Sequence, residues 1–130
     1  MKRNFSDLSH RVIGAAIEVH RYLGPGLLES TYQQCLAREL HLAGISFKPE
    51  YPLPVDYKGI HLDCGYRIDL LIENTIIVEL KSVAQLKPIH DAQLLTYMKL
   101  AKIEQGFLMN FNLHFARLER SFPNYVEFRF

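Results

Sequence analysis

The stretch from Arg67 to Ser82, RIDLLIENTIIVELKS, constrains the fold more than any other part of the chain. Residues 66 to 72 and 75 to 80 are rich in Ile, Leu and Val, and Glu73-Asn74 between them suits a two-residue turn, so the segment reads as a β-hairpin. Apolar runs this continuous belong to strands covered on both faces. Into them the chain sets Asp69 and, at the end of the second run, Glu79-Leu80-Lys81. Charged groups there cost desolvation energy unless they are paired, exposed at a mouth or bound to a metal. Side-chain alternation puts Glu79 and Lys81 on one face, with Val78 and Leu80 on the other. A turn centred on Glu73 and Asn74 sets Ile68 opposite Glu79 and Asp69 opposite Val78. The two carboxylates are then diagonal neighbours, on opposite faces under strict pairing, and they converge only with a bulge, a strand bend or a different turn register.

The rest of the chain supplies layers for such a hairpin. Ser6 or Asp7 caps a first helix whose apolar positions Leu8, Val12, Ala15, Ala16, Val19 and Leu23 recur at helical spacing, and Gly24-Pro25-Gly26 ends it. A second helix is expected from about Leu27 to Ala43, with Leu28, Tyr32, Cys35, Leu36 and Leu40 inward and Gly44 as its stop. Pro49, Pro52 and Pro54 limit Phe47 to Tyr57 to an edge strand, and Gly59 turns the chain toward the hairpin. A third helix runs from about Pro88 to Ile103, followed by the apolar strand Phe107 to Phe111. The tail, Leu113 to Phe130, reads either as a short strand pair or as irregular cover. This order predicts an α/β sandwich with a mixed sheet, because the third helix is long enough for a crossover between parallel strands.

Composition narrows the class. A chain of 130 residues, 48% hydrophobic and 22% charged, suits one domain that buries roughly two thirds of its unfolded surface. No apolar run approaches membrane-spanning length and no signal-type apolar segment follows the basic N-terminus, so a cytoplasmic location is expected. Cys35 and Cys64 lack metal-ligand spacing and read as buried thiols. A net charge of +1 gives no overall electrostatic footprint for nucleic acid, although Lys81, Lys87, Lys99 and Lys102 form a local basic stretch.

Two carboxylates and a main-chain carbonyl suit a hard divalent cation, so Asp69, Glu79 and the Leu80 carbonyl form a candidate ligand set. Lys81, on the face of Glu79, would orient an activated water or stabilise phosphate charge, a combination suited to phosphodiester hydrolysis. The competing reading makes Asp69 and Glu79 strand-end charges with Lys81 as a surface partner. Glu29 and Tyr32 share a face of the second helix, and Gln93 and Tyr97 one of the third. Glu29 would add a third carboxylate, binding metal directly or through water, and Gln93 and Tyr97 would hydrogen-bond a phosphate or base. Singly, both tyrosines also read as core aromatics. The six histidines show no dependable ligand spacing, although His90 lies one turn before Gln93.

Gly26-Leu27-Leu28-Glu29-Ser30-Thr31-Tyr32 resembles the signature of the GxxExxY protein family. The ordered set Glu29, Asp69, Glu79-Leu80-Lys81 and Gln93-Leu94-Leu95-Thr96-Tyr97 resembles the PD-(D/E)xK nuclease-like superfamily, its last element being similar to the QxxxY element of RecB-type exonuclease domains. Asp69 follows Ile68 where the superfamily name has proline. The resemblance spans about Leu8 to Leu118 and implies a restriction-endonuclease-like core: a three-layer sandwich with a central mixed four-stranded sheet, occupying 1–130 as a single domain. It implies Mg²⁺ or Mn²⁺ on Asp69, Glu79 and Leu80 with help from Glu29, catalysis by Asp69, Glu79 and Lys81, and Gln93, Tyr97 and Tyr32 against substrate. The expected partner is nucleic acid, DNA first, with a homodimer an open option. Three functions compete: a metal-dependent nuclease, a weak or inactive nuclease-fold module that binds nucleic acid or a protein, and a structural subunit of a larger complex.

Overall fold

The computed structural model describes residues 6–112 together with the backbone of 117–122 and 125–129. Helix α1 (Asp7–Leu23) starts where the Ser6 Oγ accepts a hydrogen bond from the Ser9 amide at 3.1 Å, and it stops at Gly24, whose φ of 72° a side chain would strain. Helix α2 (Glu29–Leu42) buries Tyr32, Leu36 and Leu40 one to two turns apart. Leu28, expected on that inward stripe, precedes the first turn and is 73% exposed.

Strands β1 (Phe47–Pro52), β4 (Arg67–Ile72), β5 (Ile76–Lys81) and β6 (Gln105–Asn110) form the four-stranded core of a mixed sheet, antiparallel from β1 to β5 and parallel from β5 to β6. Helix α3 (Pro88–Ala101) makes the crossover that the parallel pair requires. Beyond β6 the sheet continues through β8 (Tyr125–Arg129) to β7 (Arg117–Phe122), in the order β1-β4-β5-β6-β8-β7, so the tail forms a strand pair. Residues 113–116, 123, 124 and 130 of that tail lie outside the described residues. As expected of a proline-bearing strand, β1 sits at the edge. Gly59 does not lead into the β4–β5 hairpin. It closes a separate two-stranded hairpin of β2 (Val55–Tyr57) and β3 (Ile60–Leu62), whose alternating pattern is interrupted by too many prolines upstream to stand out in sequence.

Two cores flank the sheet. On one face α1 and α2 cover Leu70, Ile72, Ile76, Val78, Leu80, Phe107 and Met109; on the other α3 covers Ile68, Leu71, Ile77 and Leu108 with Leu94, Tyr97 and Met98. This three-layer α/β arrangement matches the expected fold class. At the α3 layer Gly106 allows close approach, since a Cβ there would lie 2.6 Å from the Met98 Sδ. Cys35 is half-buried and Cys64 exposed, so the expectation of two buried thiols fails at Cys64, which lies on the turn before β4.

Candidate active site

Glu73 and Asn74 both have positive φ, 48° and 57°, as a tight primed turn demands, and the Thr75 amide closes it on the Ile72 carbonyl at 3.0 Å. The first ladder pair, however, is Ile72 with Ile76, which leaves Thr75 as an extra residue on one side of the hairpin. That one residue resets the register: Leu71 faces Ile77 and Leu70 faces Val78, and the same count carried one step past the last pair sets Asp69 opposite Glu79. The expected pairing of Asp69 with Val78 is therefore wrong by one position. A different turn register was one of the devices that would bring the carboxylates together, and the three-residue loop Glu73-Asn74-Thr75 supplies it.

At Asp69 the backbone ladder gives way to side chains. The Asp69 amide donates to Glu79 Oε1 at 3.0 Å, and the Leu80 amide donates to Asp69 Oδ2 at 2.8 Å. These reciprocal bonds satisfy amides that would otherwise lack partners where the strands part, and they aim both carboxylates into one space. The strand itself changes face here: Ile68 and Leu70, two residues apart, pack into different layers. Glu79 and Lys81 share the α3 face with Ile77.

Burial is the dominant electrostatic influence. It pushes the Asp69 carboxyl from 3.8 up to about 6 and the Glu79 carboxyl from 4.5 up to about 8, the latter raised further by the negative charge of Asp69. The amide bonds and the Lys81 ammonium oppose both shifts without cancelling them. Such a pair of buried like charges is where a cation is most stabilising.

Glu29 stands at the start of α2 near the end of β5. Its Oε2 accepts from the Ser82 amide at 3.4 Å, while the Ser82 Oγ donates to the Leu27 carbonyl at 2.7 Å. It is exposed, and among the described residues no three His, Cys, Asp or Glu side chains stand close enough to hold an ion between them. A divalent cation would therefore rest on the Asp69 and Glu79 side chains, with main-chain carbonyl and water completing its shell, a mode that suits Mg²⁺. Glu29 fits only as a more distant, water-linked carboxylate.

Gln93 and Tyr97 meet as their spacing predicts, Gln93 Nε2 donating to the Tyr97 Oη at 3.0 Å. Burial raises the Tyr97 phenol; the Gln93 bond lowers it, while the charges of Glu79 and Asp69 contribute to raising it, so Tyr97 lies within the field of the acidic pair. Tyr32 belongs elsewhere. It is fully buried, stacked on Phe111 with centroids 4.6 Å apart, and its hydroxyl donates to the Gly24 carbonyl and accepts from the Leu27 amide. That places it in the core, where it ties down the loop leading to Glu29, and not against substrate.

Two neighbours escaped the sequence reading. Glu50 lies on β1 opposite Asp69, between the pairs Pro49–Leu70 and Tyr51–Ile68, at a φ of 49°. Gln33 Nε2 holds its Oε1 at 2.8 Å, and its charge raises both Asp69 and Glu79. The signal was an acid flanked by prolines in an edge strand, which reads as ordinary surface. Asn110, fully buried opposite Lys81, accepts from the Val83 amide and donates to the Val83 carbonyl, pinning the chain just after Lys81.

Among the described residues no helix is long and apolar enough to cross a membrane. No curated protein and no solved structure gives a significant match to the chain. Residues 6–121 match the family model described as the PD-(D/E)XK nuclease superfamily, and the chain belongs to that superfamily.

Proposed function

We propose that this protein is a metal-dependent nuclease that hydrolyses phosphodiester bonds in DNA, within the GxxExxY branch of the superfamily and as a single domain. The observation that carries this is the pair of reciprocal bonds between Asp69 and Glu79, which gathers two carboxylates at the point where the ladder opens. PD-(D/E)XK nucleases generally use divalent metals. Asp69 and Glu79 would hold Mg²⁺ or Mn²⁺ here, with the Leu80 carbonyl completing the protein ligands. Such an ion supplies positive charge to the phosphate and acidifies water.

The chain's own groups do the rest. Lys81, on the face of Glu79, orients the attacking water and offsets charge that develops on the phosphate oxygens. Glu29, bonded to the Ser82 amide, keeps the mouth beside Lys81 in place. Gln93 and Tyr97 contact the nucleic acid from α3. Nucleic acid binding is what the superfamily implies, and DNA is the first substrate to try.

The test is cleavage of a panel of single- and double-stranded DNA and RNA with Mg²⁺, Mn²⁺ or EDTA. Metal-dependent products that vanish in Lys81→Ala, with the fold intact, support the proposal; no products with any ion end it. One observation favours a second reading, a module that binds without turnover: the Glu29 carboxylate faces a backbone amide and does not join the Asp69–Glu79 pair. Cleavage lost in Lys81→Ala is the result against it.

A further inference from the structure

A groove of about 400 Å³ runs between α3 and the segment that enters β4, lined by Val55, Tyr66, Ile89, Gln93, Thr96 and Tyr97 among others, and none of its lining residues is charged. That size lies in the usual range of small-ligand pockets, about 300–1,000 Å³. A phosphate backbone needs cations, and this groove has none to give. It offers aromatic and aliphatic walls with an amide and hydroxyls between them, the chemistry that receives a flat, neutral heteroaromatic ring. Tyr66 is 45% exposed and Ile89 67%, so both walls are accessible, while Tyr97 lies deeper with its ring 6.1 Å from that of Tyr66. Since the bond to Tyr97 Oη uses one Gln93 Nε2 hydrogen, the amide oxygen, the second amide hydrogen and the phenolic hydrogen remain for a base edge.

The groove shares its elements with the acidic pair, since β4 carries Asp69 just beyond Tyr66 and α3 carries Tyr97. Tyr66 is three residues ahead of Asp69, and Tyr97 feels the charges of both Asp69 and Glu79. On the nuclease reading, a strand held at the acidic pair has this neutral groove beside it for one of its bases. In duplex nucleic acid that base is stacked and paired, and it enters a side groove only by leaving the helix.

We propose that this groove receives an unpaired nucleobase of the strand being cut, so that the site acts on single-stranded or frayed nucleic acid in preference to intact duplex. The inference rests on the nuclease reading for what lies beside the groove, but its test does not depend on cleavage.

The measurement is fluorescence anisotropy of a labelled single-stranded DNA oligonucleotide and of the same sequence as a blunt duplex, with Ca²⁺ and again with EDTA. The single strand binds about tenfold tighter; Tyr66→Ala removes about tenfold of its affinity, and Tyr66→Phe, which keeps the ring, restores it. Ile89→Asp, at an exposed position, produces the same loss by placing a charge in the groove, and melting curves confirm that each variant is folded. Equal or tighter duplex binding, no detectable binding of either oligonucleotide, or single-strand affinity unchanged in folded Tyr66→Ala and Ile89→Asp overturns the inference. Cleavage of the same oligonucleotides with Mn²⁺ separates the two claims. Ring-dependent binding without any cleavage removes the nuclease reading and leaves the base groove standing. Equal cleavage of strand and duplex, indifferent to Tyr66, removes the base groove and leaves the nuclease.

Discussion

Glu79→Gln should stabilise the metal-free protein at alkaline pH. Glu79 is 4% exposed, and its carboxyl ionises near pH 8 instead of 4.5 because burial and Asp69 disfavour the charge. A carboxyl raised in this way binds its proton more tightly folded than unfolded. Its contribution to stability is thus complete below about pH 4.5 and drains away as pH rises toward 8. At about 1.4 kcal/mol per pH unit the penalty reaches several kcal/mol, and we expect a measured value of about 2–5 kcal/mol after the strands relax. Glutamine carries no charge at any pH, and its Oε1 still accepts from the Asp69 amide, so the bond at 3.0 Å survives. Thermal unfolding in EDTA from pH 5 to 9 makes the comparison. Wild type and variant melt together near pH 5, and by pH 9 the variant melts roughly 8 °C higher or more, at about 4 °C per kcal/mol for a chain of this size. A gap that does not widen with pH, or a variant that is less stable at pH 9, refutes the claim that Glu79 is held in a charge-hostile position.

Mn²⁺ at pH 8 should raise the melting temperature of wild type and not of Asp69→Asn, since a bound ion stabilises the folded state by mass action; equal shifts in the two would exclude the pair as its seat. Deleting Thr75 restores a plain two-residue turn and slides Asp69 away from Glu79, so the Mn²⁺ shift should vanish and stability should fall as the strand faces exchange. Tyr32→Phe keeps the stack on Phe111 but strands the Leu27 amide and the Gly24 carbonyl. Denaturant melts should show a loss of about 1–2 kcal/mol, with oligonucleotide affinity unchanged. Gly106→Ala forces the Met98 and Leu94 side chains back from β6 and should cost about 1–3 kcal/mol in the same assay.

What could be read from sequence divides along a physical line. Periodicity and punctuation are local, and they disclosed three helices, the edge strand and the buried hairpin. Register is not local in the same way. The turn at Glu73 and Asn74 was visible, but whether Thr75 pairs or joins the turn depends on how both faces of β4 and β5 fill against three helices. A one-residue error there separated two carboxylates that the fold brings together. Tyr32 shows the same limit from the other side: its spacing from Glu29 places both on one turn of helix, and only packing decides that the ring goes inward onto Phe111 while the carboxylate stays at the surface. Glu50 was illegible because its importance comes from lying opposite Asp69 across a strand pair, a fact that no spacing along the chain encodes.

The same register explains why the acids sit where they do. Further along the hairpin, toward the turn, both faces of β4 and β5 are closed by Leu70, Leu71, Ile72, Ile76, Ile77 and Val78, all buried, and a carboxylate there would have neither water nor free amides. Further out β4 and β5 no longer pair with each other, although β1 and β6 still hold them from either side. Asp69 and Glu79 occupy the boundary, where the ladder's last unpaired amides are available to grip each carboxylate by one oxygen. The arrangement holds the side chains rigidly while leaving their charge poorly compensated, with Glu50 making it worse from β1. A chain under pressure only to be stable would replace one of these acids with an amide. On the proposed nuclease reading, use of the site offsets the stability cost of keeping both acids, with Lys81 next on the same face and Asn110 fixing the backbone beyond it.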